Sequence, residues 1–146
     1  MDGRLVNVVN LMTLPLRTVH PNGMDDILFR ELFTDHVDVL SAFHGYPGAI
    51  HQLVHGRPGP DRFHVRGFAD EGTTTTPFDM VMRNRASRYH LVIDALNAAR
   101  RTPTEASELK AWCEQQLLRD ERYVVEHLQD MPEVRDRSLG DRAEQG

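Results

Sequence analysis

The chain has 146 residues and a formal net charge of −5 at pH 7, which suits one domain with its own core and leaves no room for a second. The acidic balance excludes a typical nucleic-acid module with a net-positive face. No apolar run nears the ~18 residues of a spanning helix, and no charged-then-apolar leader opens the chain, so a cytoplasmic domain without membrane or nucleic-acid partners is expected. The single cysteine, Cys113, has no intrachain partner and sits at an apolar helical position, which predicts a reduced, buried thiol.

In chain order, Leu5, Val6, Val8, Val9 and Leu11 form a near-continuous aliphatic run, predicting a buried parallel strand over Arg4 to Met12. A loop follows to Asn22-Gly23. Asp25 or Asp26 can cap a short helix with Ile27, Leu28, Leu32 and Phe33 on its apolar face. Val37 to Phe43 reads as a second strand. Pro47 opens a helix to Val54 with Ile50, Leu53 and Val54 on one side, and Gly56 to Pro60 turns the chain. Phe63 to Phe68 alternates as a third strand.

Thr76-Pro77-Phe78-Asp79 supplies an N-cap, a proline at the first helical position and an acid three residues after the cap, predicting a short helix to about Asn84. Ser87 to Ala99 is the clearest helix, with Tyr89, Val92, Ile93, Leu96 and Ala99 at 3.6-residue spacing. Arg100, Arg101 and Pro103 end it. Thr104 opens a long amphipathic helix to about Asp130 through Leu109, Trp112, Cys113, Leu117, Val124 and Leu128. The expected domain is 1–131, and the charged, apolar-poor residues 132–146 predict a mobile tail. Strands alternating with helices indicate an α/β layered fold with a mostly parallel sheet.

Residues 43 to 79 concentrate the polar chemistry: four histidines, three arginines and a run of four threonines set around short turns. The free amides of a helix N-terminus favour an anion, threonine hydroxyls add donors, and Arg66 could supply the charge. The turn holding His44 and Tyr46 and the loop Gly72, Thr73, Thr74, Thr75 and Thr76 are expected to gather beyond the carboxyl ends of the strands, where ligands of open α/β sheets lie. His51 and His55, four apart, together with His44 and His64 could form a nitrogen-rich cluster able to hold zinc; the reading preferred is that they bond backbone at strand ends and domain contacts. Nothing beside Cys113 would activate it as a nucleophile. The phosphate-binding loop, the G-x-S-x-G elbow and the dinucleotide-binding glycine fingerprint are all absent from the sequence.

Several motifs carry a family resemblance: Val6-Asn7-Val8-Val9 with Leu11-Met12, His20-Pro21-Asn22-Gly23, Leu32-Phe33-Thr34, Phe43-His44-Gly45-Tyr46-Pro47, His64-Val65-Arg66-Gly67, the octet Glu71 to Phe78, and His90-Leu91-Val92-Ile93-Asp94. From about residue 4 to Pro132 the chain resembles the C-terminal domain of phosphoketolases. The resemblance implies a three-layer α/β fold like the transketolase C-terminal domain, in which only the last three of five strands are expected here, the strand and helix before Arg4 being missing. It implies a protein that splits a ketose phosphate with inorganic phosphate to acetyl phosphate and an aldose phosphate. Thiamine diphosphate and magnesium would serve that chemistry, bound in upstream domains and not by this chain. The partners implied are those upstream domains and a second subunit of a homodimer. On this view His44, Tyr46, His64, Arg66 and Gly72 to Thr76 dock the domain on its catalytic core; the alternative is that they bind an anionic or nucleotide effector. No catalytic, cofactor or metal residue is assigned to this chain.

Overall fold

A computed structural model describes residues 3–69, 72, 75–99 and 104–134. It comprises two compact units, one up to Ala69 and one from Asp70.

In the first unit, α1 (Asp26–Phe33) begins where the Asp25 side chain accepts a hydrogen bond from the Leu28 amide at 2.8 Å, satisfying one of the helix's orphan donors. Phe29 and Phe33, one turn apart, face inward. Strands β1 (Val39–Ala42) and β2 (Phe63–Arg66) are joined through α2 (Pro47–Val54), whose first position is the expected proline. The strands pair in parallel, with Val39 opposite Phe63 and Ala42 opposite Arg66, as a helical crossover requires. Phe29, Phe33 and Phe63 meet at centroid separations of 4.8 to 6.1 Å. With Leu14, Ile50 and Val54 they form the core.

The mixed α/β class with a parallel sheet is as expected, but the sheet has two strands among the described residues. The strand expected over Arg4 to Met12 is corrected. That segment runs without ladder pairing to Asn10 and then forms a single 3-10 turn, Leu11–Thr13, capped by the Asn10 side chain. Its side chains still alternate: Val6 and Val8 pack on the core, while Leu5 and Val9 are 97% and 92% exposed. An aliphatic run supplies the faces of a strand, but a strand also needs a neighbour for its amides and carbonyls, and no described residue provides one. The Arg4 guanidinium donates to the Glu31 carbonyl, fastening the segment to α1.

In the second unit, α3 (Pro77–Arg83), α4 (Arg88–Ala98) and α5 (Thr104–His127) follow the predicted order. Ser87 caps α4 by accepting from the His90 amide. Tyr89 and Ile93 of α4 close on Cys113 of α5, with Phe78, Val92 and Leu117 around them. Cys113 is buried, and burial together with the neighbouring Glu114 pushes its thiol pKa up. The long helix stops at His127 and not near Asp130, because Leu128 takes a left-handed conformation (φ 52°). Beyond it Met131 is buried, the Val134 amide donates to the Met131 carbonyl at 3.0 Å, and Glu133 meets Arg119 at 2.8 Å. The helix stop expected at Arg100 to Pro103 and the tail residues 135–146 lie outside the described residues.

Candidate functional site

The parallel pairing of β1 and β2 sets their carboxyl ends side by side, and the histidine-bearing turn is clasped there. The Phe43 amide donates to the Arg66 carbonyl at 2.9 Å, and the Phe68 amide to the Gly45 carbonyl at 2.7 Å. His44 lies against Phe68 with centroids 4.7 Å apart, and Tyr46 is largely exposed. Gly67 is obligatory at this junction. A Cβ there would stand 2.4 Å from the Gly45 oxygen and 2.5 Å from Pro47 Cδ, well inside van der Waals contact. Arg66 is half-buried opposite Ala42.

His64 is not part of this end. It is level with Leu40 and lies 3.4 Å from Asp38, before β1, whereas His44 is four residues beyond Leu40, about 13 Å along a strand. His51 on α2 and His55 just after its end are both exposed. Among the described residues no three potential ligands come together to hold a metal.

Of the threonine run, Thr73 and Thr74 lie outside the described residues. Thr75 and Thr76 belong to the second unit and precede α3. The Thr76 oxygen accepts from the Asp79 amide at 3.2 Å, the predicted cap, while its hydroxyl donates to Asp130 Oδ1. Asp130 Oδ2 in turn accepts from the Phe78 amide at 3.4 Å. The Thr75 hydroxyl donates to Asp79, which also receives Arg83 Nε at 2.7 Å. Burial raises the Asp79 pKa, but the bonds from Thr75 and Arg83 and the Arg83 charge outweigh it and hold the carboxyl below its ordinary value. The hydroxyls of Thr75 and Thr76 are thus given to carboxylates of this chain. Gly72, at φ 71°, supplies a left-handed turn ahead of them.

Two arginines that the sequence does not single out organise the first unit. Arg57, its side chain fully buried, donates to the carbonyls of Leu14 (2.8 Å), Pro15 (2.6 Å) and Met24 (2.7 Å) and to Asp26 (2.8 Å), while its guanidinium lies 4.2 Å over the Phe29 ring. Arg62 donates to the carbonyls of Phe33 (2.7 Å), Thr34 (2.5 Å) and Val37 (2.6 Å), the end of α1 and the loop that follows. It holds Thr34 at φ 55° and ψ −175°, a conformation open essentially to glycine. Burial lowers the Arg62 pKa, with Asp35 and Asp38 opposing. The fork geometry suited to gripping a ligand phosphate is spent here on backbone.

A thiamine diphosphate site needs magnesium ligands and a glutamate for the pyrimidine ring, and among the described residues no group of three potential ligands forms that could hold the metal. Asp26, Asp79, Asp130 and Glu133 are each engaged by Arg57, Thr75 with Arg83, Thr76, and Arg119. The buried Asp120 stands on α5 beside the apolar cluster. The Ser87 hydroxyl, 2.8 Å from His90 Nδ1, is a buried helix cap and not an accessible nucleophile.

A parallel βαβ unit stapled by Arg57 and Arg62, with a helical second unit, places the described residues in the mixed α/β class. Family comparison is specific: the XFP C-terminal domain model matches residues 1–139, and the chain belongs to the family of phosphoketolase C-terminal domains. It is 50% identical over 133 residues to a probable phosphoketolase of Bradyrhizobium diazoefficiens, covering 91% of this chain and 17% of that protein. Identity is 46% over 131 residues to a probable phosphoketolase of Pseudomonas putida (90% and 17%) and 44% over 133 residues to one of Chlorobaculum tepidum (91% and 17%). The chain spans about one sixth of the length of these relatives. No helix among the described residues is long and apolar enough to cross a membrane.

Proposed function

We propose that this chain serves as the non-catalytic C-terminal domain of a cytoplasmic, thiamine-diphosphate-dependent phosphoketolase, completing and stabilising the parts that bind cofactor and substrate and the homodimer they form. Acetyl phosphate production from a ketose phosphate and inorganic phosphate is the activity of that whole protein. The observation that carries this reading is the segment from Leu5 to Val9, which has the alternation of a strand, two fully presented aliphatic side chains and no ladder partner among the described residues. Such an edge favours pairing with another length of chain. The alternative of an anion or nucleotide effector site on the threonine run is the weaker reading, because Asp79 and Asp130 take the Thr75 and Thr76 hydroxyls.

Reconstitution tests it. The remainder of a related phosphoketolase, made as a separate polypeptide, is assayed for acetyl phosphate formation with and without this chain. Activity is expected only from the mixture, none from this chain alone, and less when Leu5→Lys and Val9→Lys are combined. Full activity of the remainder without this chain, or turnover by this chain alone, refutes the proposal.

A further inference from the structure

Among the described residues, Asp120 is a buried acid whose setting the family assignment does not explain. It lies on the inward face of α5 at 2% exposure, on the same side as Cys113 and Leu117, and neither carboxyl oxygen has a hydrogen-bond partner among the described residues. A buried ionised carboxylate without donors is strongly disfavoured, and the usual resolution is protonation or a new partner. The surrounding cations are committed elsewhere. Arg88, at the start of α4, donates to the Tyr89 hydroxyl at 2.9 Å, and Arg119 is paired with Glu133 at 2.8 Å. Asp130 and Glu133, after α5, add negative charge. On α3, Asp79 and Arg83 pair with each other. Arg88 is exposed on the face of its own helix and bonded only to its neighbour's phenol in the contacts described, so a change of rotamer frees it.

We propose that Asp120 is a proton-operated latch between α4 and α5: protonated, it lets the two helices close over it; on losing its proton to solvent it loosens the pair and draws Arg88 from Tyr89 to the carboxylate. Burial, only partly offset by Arg88 and Arg119, holds the carboxyl pKa above its ordinary value. Closure is therefore strongest below the ordinary carboxylate value and is lost as pH rises through the raised one.

The helix pair carries its own reporters. Cys113, the sole cysteine, is 1% exposed and reacts only when the pair opens, and Trp112, the sole tryptophan, stands edge-on to Tyr89 at 5.7 Å. The 146-residue chain and its Asp120→Asn variant are labelled with a dipyridyl disulfide from pH 4 to 8, and the ratio of rates cancels the thiol's own titration. The ratio of wild type to variant is expected near one at pH 4, rising with pH by roughly tenfold for each unit that closure raises the carboxyl pKa. Trp112 emission should change over the same range in wild type only. A flat ratio overturns the proposal. Should the variant not fold, a carbon-13 titration of the wild-type Asp120 carboxyl decides: a midpoint above about 3.9 supports the latch, and one at or below it refutes it. Arg88→Met should slow labelling at pH 8 in wild type, because the loosened state loses the pair that Arg88 makes with the carboxylate, but not in Asp120→Asn; equal effects in both remove Arg88 from the latch.

Discussion

Replacing Arg57 by methionine keeps an unbranched side chain of similar reach and deletes every donor. Four hydrogen bonds are lost, but they are not equivalent. The Asp26 carboxylate is 60% exposed and rehydrates on release, so that pair contributes less than about 1 kcal/mol. The carbonyls of Leu14 and Pro15 are buried at their bonds and that of Met24 is partly so. Each buried carbonyl left without a donor costs about 1–3 kcal/mol. Two such groups and part of a third, less the favourable burial of the methionine, give a loss of about 3–5 kcal/mol, a large share of the ~5–15 kcal/mol that holds a domain. The assay is hydrogen exchange over residues 14–26 combined with urea denaturation. Arg57→Met should abolish protection there, Arg57→Lys should retain part of it because the ammonium can still serve some of the carbonyls, and Asp26→Asn should change stability by under ~1 kcal/mol. If Asp26→Asn and Arg57→Met prove equally mild, the carbonyl grip is not what orders this loop.

Three further outcomes follow from the geometry. Gly67→Ala drives a methyl into the Gly45 carbonyl and the Pro47 ring and should destabilise the first unit by about 1–3 kcal/mol, seen as faster exchange over residues 43–47. Thr34→Gly should raise stability by about 1 kcal/mol in denaturant titration, since it relieves a backbone that costs ~1–3 kcal/mol and removes a buried hydroxyl without a partner. Because the Asp79 pKa is lowered in the folded chain, its contribution is present above the ordinary carboxylate value near 3.9 and is lost as pH falls through the lowered one. Exchange protection of α3 should therefore drop in that acid range in wild type, with Asp79→Asn weaker at neutral pH and flatter across it.

Local signals in the sequence located most elements. The proline at Pro47 and the caps at Asp25, Thr76 and Ser87 act within a few residues of themselves, and α1 to α4 start where those residues place them. The strands at Val39 and Phe63 are shorter than their apolar runs suggest. Arg4 to Met12 shows the limit: hydrophobic alternation fixes which side chains turn inward, but a ladder depends on a second stretch of backbone that alternation does not reveal. The family motifs were legible before their reason was. Gly45, Pro47 and Gly67 fit against one another across the strand ends, so the His-Gly-Tyr-Pro and His-Val-Arg-Gly stretches are two halves of one junction. In the threonine run the cap at Thr76 is legible locally, but the carboxylate that takes its hydroxyl, Asp130, lies 54 residues away. Arg57 gave no sign, since its partners are carbonyls up to 43 residues away and every residue carries a carbonyl.

That last property reaches beyond this chain. Arg57 and Arg62 grip Leu14, Pro15, Met24, Phe33, Thr34 and Val37 through atoms common to all amino acids, so substitutions at those six positions leave the grip intact as long as the backbone keeps its path. Contact inference from correlated substitutions, which depends on side chains changing in concert, is blind to such long-range ties, however many related sequences are aligned.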